Sequence, residues 1–286
     1  MDKKLDGTII KGVAGVFSVS TTKGVLRCQA RGLLKRGDQK LYVGDEVVLK
    51  QEKGVWYVFD VKERKNLFTR PYVSNVDKLL LVVSSIPEPD YILLDKLLVF
   101  CEENDVEAEI VVNKCDIDTK EYDYCQKVYG KYYTVSQVSA ESGLGVKELS
   151  DRLTGNVCFA GQSAVGKTSL LNALCGLNLQ VGGLSKIQRG RNTTRHVEIY
   201  KVRDDLNIYD TCGFSLLSLE GFDENHLALY YPDFYLRSKC KFSTCTHTKE
   251  PECAIKEMVA KGELDKDRYQ RYLSIFQEMQ ELRKIN

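Results

Sequence analysis

Short apolar runs of strand length recur along this chain, and what accompanies them changes twice. Up to residue 66, runs at 7–19, 24–30, 45–49 and 56–61 follow one another across Gly-rich turns, which predicts a small all-β domain. From residue 67 to 219, runs at 108–112, 132–136, 156–160 and 206–209 read as short buried strands, while residues 168–174 open as a helix, the pattern of an α/β domain. Beyond residue 220, Tyr269, Tyr272, Leu273, Phe276, Met279 and Leu282 fall at helical spacing, with Asp265, Lys266, Asp267, Arg268, Arg271, Glu278, Glu281 and Arg283 between them. That stripe predicts a terminal helix with a packing face. The longest apolar run, at residues 79–83, is far too short to span a bilayer.

The run Gly161-Gln162-Ser163-Ala164-Val165-Gly166-Lys167-Thr168 is a complete G-x-x-x-x-G-K-[ST] phosphate loop, and it sits between a strand and a helix, as that loop requires. Its glycines let backbone N–H groups turn toward phosphates, and the helix that continues through Ser169 adds the positive end of its dipole. Lys167 supplies a point charge for the β- and γ-phosphates, and the Thr168 hydroxyl suits Mg²⁺. Asn113-Lys114-Cys115-Asp116 follows another apolar strand, where α/β sheets bind ligands. Asp116 there can accept two hydrogen bonds from guanine, whereas adenine would leave it unpaired. Asn113 can bind the other edge of the base or brace the loop, and the Lys114 stem can cover the ring. Ser139-Ala140, farther on, can bring a backbone N–H to guanine O6. This guanine reader precedes the phosphate loop, the reverse of the usual GTPase order.

Behind the phosphate loop come Arg191-Asn192-Thr193-Thr194-Arg195 and then Asp210-Thr211-Cys212-Gly213. Thr194 can complete a Mg²⁺ shell, Asp210 can hold a metal-bound water, and Gly213 can approach the γ-phosphate. Taken singly, each segment is also a plausible turn. The glycine-rich, basic residues 182–191 read as a switch ordered by γ-phosphate, Mg²⁺ or RNA, or as a solvated loop. Cys240, Cys245, His247 and Cys253 offer three sulfurs and an imidazole within fourteen residues, the ligand density of a structural Cys₃His zinc site with a full coordination shell. The other cysteines among the 10 are scattered through apolar segments, a poor disulfide framework.

The order of guanine reader, Ser-Ala, phosphate loop, Thr-Thr and D-T-x-G resembles the circularly permuted GTPases. The stretches 28–32, 43–47, 66–71, 75–77, 240–253 and 268–272 narrow the resemblance to the RsgA family. It implies three domains: an OB-fold RNA-binding barrel over 1–66, a permuted P-loop GTPase domain of α/β class over 67–219, and a mostly helical zinc-binding domain over 220–286. It also implies GTP/GDP, Mg²⁺ and one structural Zn²⁺ as cofactors. The implied activity is ribosome-stimulated GTP hydrolysis in late maturation of the small ribosomal subunit, with that subunit and its rRNA as partners.

Two departures bear on hydrolysis. The family carries a His where this chain has Asn192, and a Pro where it has Cys212; Phe214 stands where Ras-type enzymes place a water-orienting Gln. An amide cannot accept a proton as an imidazole can, so intrinsic hydrolysis is expected to be very slow. Water positioning would then fall to the ribosome or to His196, which otherwise reads as an ordinary strand histidine.

Net charge adds an asymmetry. The whole chain carries +1, but residues 1–66 hold 14 Lys and Arg against 8 Asp and Glu. A barrel bearing Arg27, Arg31, Lys35, Arg36 and Lys40 suits RNA, with a solubilising face as the plainer alternative. No signal peptide, repeat or lipidation pattern accompanies these features, so a cytoplasmic protein with no membrane association is expected, and it is expected to be a monomer. Two rival readings are a nucleotide-gated rRNA-binding scaffold with negligible hydrolysis, and an ATPase or small-molecule kinase on the same loop. Since the second switch leads directly into the C-terminal residues, nucleotide state could swing the zinc domain as a covalent lever.

Overall fold

Five strands, β1 (Lys4–Val13), β2 (Val16–Thr21), β3 (Gly24–Ala30), β4 (Glu46–Glu52) and β5 (Val55–Val61), close into a barrel in the order β1-β2-β3-β5-β4, with β4 returning to β1. Alternate side chains fill it, among them Ile9, Val19, Cys28, Val47, Leu49 and Val58, all fully buried. The computed structural model describes residues 4–30, 40–69, 71–176, 197–211, 219 and 221–285. Of the basic residues expected on the barrel, Arg27 and Lys40 are exposed, and Arg31, Lys35 and Arg36 lie outside the described residues. The single strand expected over 7–19 is a hairpin. Ala14 and Gly15 take φ of 49° and 79°, the paired left-handed conformation of a two-residue turn, and an Ala-Gly pair advertises that turn less clearly than Asn-Gly.

The chain divides into two compact units, one of residues 1–79, 146–159 and 167–214, the other of residues 80–145, 160–166 and 215–286. The first contains the barrel, the hairpin β6 (Leu67–Thr69) and β7 (Tyr72–Ser74), and strands β11 (Gly155–Ala160), β12 (Val197–Arg203) and β13 (Leu206–Thr211). β11 and β13 run parallel, β12 and β13 antiparallel, and β12 meets β1 at Glu198 opposite Lys11, whose ammonium reaches the Glu198 carboxylate at 2.8 Å. Buried Asp45 ties this unit together: it accepts from Arg64 Nε at 2.7 Å, Ser74 Oγ at 2.7 Å and the Tyr42 amide at 2.8 Å. Gly44, at φ 99°, lies so close to the Ser74 carbonyl that a Cβ would come within 2.1 Å of it.

In the second unit, strands β8 (Lys78–Ser84), β9 (Glu107–Asn113) and β10 (Thr134–Gln137) lie in the order β10-β9-β8, flanked by helices α1 (Tyr91–Glu103) and α2 (Lys120–Tyr129). The strand expected from residue 132 starts two residues later. The amides of Tyr132 and Tyr133 both donate to the Tyr129 carbonyl, at 2.9 and 3.0 Å, so these tyrosines close α2 instead. Helix α3 (Val146–Arg152) and helix α4 (Lys167–Cys175) belong to the first unit, and α5 (Ala254–Lys261) and α6 (Lys266–Ile285) to the second. The stripe on α6 does pack: Tyr272, Phe276 and Met279, with Ile275 beside them, share a buried core with Leu227, Phe234 and Met258, and with Val99 of α1. Arg268, expected among the polar residues between the stripe positions, is 2% exposed, because Asp95 and Asp233 neutralise it at 2.6 and 2.7 Å. Among the described residues, no helix is long and apolar enough to cross a membrane.

Candidate functional site

The guanine reader and the phosphate loop, some fifty residues apart in sequence, are joined by side-chain hydrogen bonds. Asn113, the last residue of β9 and 2% exposed, donates from Nδ2 to the Val165 carbonyl at 2.9 Å and accepts at Oδ1 from the Ala140 amide at 3.1 Å. One amide thus holds the phosphate loop and the Ser139-Ala140 segment together. The bracing role is the one it fills here. Lys114, at φ 64°, sends its ammonium to the Ala164 carbonyl at 2.9 Å and the Ile86 carbonyl at 2.5 Å. Ser139 is fully buried and turns its own loop: its Oγ accepts from the Ser142 amide at 3.1 Å. Asp116 stands exposed within the turn that the Ile117 amide closes onto the Lys114 carbonyl at 3.0 Å.

Within the phosphate loop Gly161, Ala164 and Gly166 all have positive φ, of 128°, 67° and 97°. Positive φ at such positions is the backbone geometry by which loops of this kind present amides to an anion. Two of the positions demand glycine on space as well: a Cβ on Gly161 would come within 2.3 Å of the Val82 carbonyl, and one on Gly166 within 2.2 Å of Asn113 Nδ2. Gln162 accepts at Oε1 from the Asp90 amide at 3.1 Å, Ser163 is exposed, and Val165 is buried beneath the loop. Lys167, Thr168 and Ser169 open α4, all half-buried. Asp210 lies within β13, one residue past Tyr209, which pairs with Cys158. Burial, and then the Glu198 carboxylate facing it across β12, raise its pKa. The Asp210 carboxylate and the Thr168 hydroxyl are hard oxygen donors, so both fit Mg²⁺ by donor type. Asn192, Thr194, His196, Cys212, Gly213, Phe214 and the basic stretch 182–191 lie outside the described residues.

The four zinc candidates also come together, with one ligand atom from each within 4.8 Å of all the others. Cys240 and Cys253 sulfurs are 3.9 Å apart, and they lie 3.5 and 3.4 Å from His247 Nδ1. Tetrahedral bonds of about 2.3 Å to sulfur and about 2.0 Å to nitrogen require separations of about 3.8 and about 3.5 Å, so the tetrad fits zinc through Nδ1. Burial lowers the His247 pKa, keeping the imidazole in the neutral form that ligates. The Ala254 amide, at the start of α5, donates to Cys240 Sγ at 3.3 Å, a contact that favours thiolate.

Family models match the chain over most of its length: "RsgA GTPase" over residues 61–220 and "RsgA N-terminal domain" over residues 6–55. A Clostridium beijerinckii protein named "Small ribosomal subunit biogenesis GTPase RsgA" is 36% identical, covering 96% of this chain and 97% of its own. The chain belongs to the RsgA GTPase family. Solved structures agree: YjeQ from Thermotoga maritima superposes with a TM-score of 0.84 at 33% identity, covering 97% of this chain and 99% of its own. YloQ, described as a circularly permuted GTPase, gives 0.80 at 32%, covering 98% and 96%.

Within this RsgA-family fold, several residues that support the Cys₃His cluster carry no signal in the sequence pattern. Glu250 accepts from the Thr246 hydroxyl at 2.7 Å, the Thr246 amide at 2.8 Å and the Thr248 amide at 2.9 Å, gripping the backbone on both sides of His247. Burial would raise its pKa, but those donors outweigh it and hold the carboxyl at about 2. The Tyr269 and Tyr272 hydroxyls of α6 bind the His247 and Thr246 carbonyls at 2.7 and 2.6 Å. His247 itself is held at φ 59°. Glu250→Ala should therefore lower zinc affinity about 10- to 100-fold, measured by competition with a chromophoric chelator. An unchanged affinity would mean that the ligands alone shape the loop.

Proposed function

We propose that this chain is a GTP hydrolase that binds the small ribosomal subunit and its rRNA and acts in late maturation of that particle, with hydrolysis stimulated by the particle and timing release. The observation that carries the reading is the Asn113 bridge from the guanine reader to the phosphate loop, at 2.9 Å. The activity belongs to its family, and the partner is the one its relatives' names give. In this reading residues 1–66 form the RNA-binding barrel, 67–219 the GTPase domain and 220–286 the zinc domain, in a monomeric cytoplasmic protein.

The amides of residues 161–166 and the Lys167 ammonium would hold the phosphates, Asp116 the N1–H and amine of guanine, and Lys114 and Ala140 the surroundings of the base. Thr168, Thr194 and Asp210 would hold Mg²⁺, which when bound would supply positive charge to offset that of the phosphates. Gly213 would offer its amide to the γ-phosphate. The Asp116 carboxylate is the basis of selectivity, because adenine presents an acceptor where guanine presents a donor. Bound fluorescent GDP should be displaced by GTP and not by ATP. Displacement by ATP at comparable concentration would favour the ATPase or kinase reading.

A second reading, a nucleotide-gated rRNA-binding scaffold with negligible hydrolysis, is favoured by one observation, the amide of Asn192 where the family carries an imidazole. Phosphate release measured with and without small ribosomal subunits separates the two. A large rise on adding subunits supports the enzyme; a rate that stays at background supports the scaffold.

A further inference from the structure

Four charged side chains meet inside the second unit. Asp95 of α1, fully buried, accepts from Arg268 Nη1 at 2.6 Å and Tyr129 OH at 2.7 Å on one oxygen, and from Arg271 Nε at 2.7 Å on the other. Arg268 turns its Nε and Nη2 to Asp233, at 2.7 and 3.3 Å. Arg271 completes the cluster with Nη2 on Tyr129 OH at 2.9 Å and Nη1 on Tyr124 OH at 3.1 Å. Buried ion pairs of this kind add little stability over apolar packing, because desolvation offsets their attraction. What they supply is register. Two guanidinium forks and a shared carboxylate are satisfied together at one axial position of α6 on α1, where each oxygen of Asp95 takes a different arginine, and a slip along the helix would break that division.

The N-terminal end of the same helix touches the phosphate loop. Asp90, the N-cap of α1, has its carboxylate on the Leu93 amide at 2.9 Å and its own amide on Gln162 Oε1 of the phosphate loop at 3.1 Å. Asp95 lies one and a half turns along, about 8 Å away. We propose that Asp95, Arg268 and Arg271 are positioning residues for nucleotide binding: by fixing α1 against the C-terminal helix they set the Asp90 amide that holds Gln162, and through it the phosphate loop. The zinc-bearing end of the chain is thereby coupled to guanine-nucleotide affinity. This inference rests on the GTPase reading above.

A double-mutant cycle on GDP affinity tests it, using the full chain and a fluorescent GDP, below the melting temperature of each variant and with zinc content confirmed. Asp95→Asn and Gln162→Ala are each expected to weaken GDP about threefold to tenfold, and the double variant no further than the weaker single. If Asp95→Asn does not fold, Arg271→Met replaces it in the same cycle, with Arg271→Lys expected to recover part of the loss. GDP affinity unchanged in the folded Asp95→Asn or Arg271→Met protein, or losses that multiply in the double variant, would overturn the coupling. Absence of GDP binding by the wild-type chain would instead remove the GTPase reading itself.

Discussion

Gly166→Ala is expected to lower GDP affinity by about 100- to 1,000-fold, or about 3–4 kcal/mol, while the protein remains folded. Gly166 has a φ of 97°, which side-chain-bearing residues adopt only under strain of about 1–3 kcal/mol. The added Cβ would also meet Asn113 Nδ2 at 2.2 Å. Asn113 cannot yield without cost, since moving it would release the Val165 carbonyl and the Ala140 amide, each bond worth about 1–3 kcal/mol when a buried partner is left behind. The loop must therefore deform, or the brace must break. Titration of GDP into the folded variant checks this, and wild-type affinity would show that the Asn113 bridge does not shape the phosphate loop.

Removal of zinc is expected to unfold the C-terminal residues around α5 and to loosen α6. Apparent binding free energies of structural zinc, about 10–16 kcal/mol, exceed or match what a whole domain of ordinary stability has to lose. Glu250 and the two tyrosine hydroxyls orient the loop from Cys240 to Cys253, and an exposed Lys241–Glu252 pair joins its ends, but such surface contacts are weak and the tetrad is its main closure. Without metal, burial pushes the Cys245 thiol up to about 12 and raises Cys253, so metal uptake must displace protons and retention should weaken as pH falls. Purified protein should contain one zinc per chain, and strong chelator or Cys253→Ser should lower helix content by circular dichroism and broaden the melting transition. Protein free of zinc, or a melt indifferent to chelator, would refute the assignment.

Much of this site was legible because its chemistry is local. The phosphate loop declares itself by spacing between a strand and a helix, and the zinc tetrad by four ligands within one short segment. The barrel was legible as short strands but not as a hairpin at its start, since Ala14 and Gly15 make a tight turn with only one of the two residues that favour it. What the pattern could not convey is where polar groups find partners across long separations. Arg268 reads as an outward charge by helical spacing, yet its partner Asp95 lies 173 residues earlier and draws it into the interior. Asn113 reads equally as a ligand to the base or as a brace, and only the position of Val165 decides which its side chain is doing. The same long-range contacts bear on the lever expected from motif order. Val99 of α1 shares a core with the C-terminal helices, so a swing of the zinc domain would have to work against that packing.

The distance in sequence between Asp95 and its arginines also orders events during synthesis. The barrel's residues emerge together and can pair at once, whereas the carboxylate of α1 waits for nearly the entire remaining chain before α6 can neutralise it. A polypeptide lacking α6 would leave Asp95 without Arg268 and Arg271 and Val99 without part of its apolar cover, an arrangement that favours local opening of α1. The interior around α1 therefore closes late, only once residues more than 170 positions away in sequence have joined it.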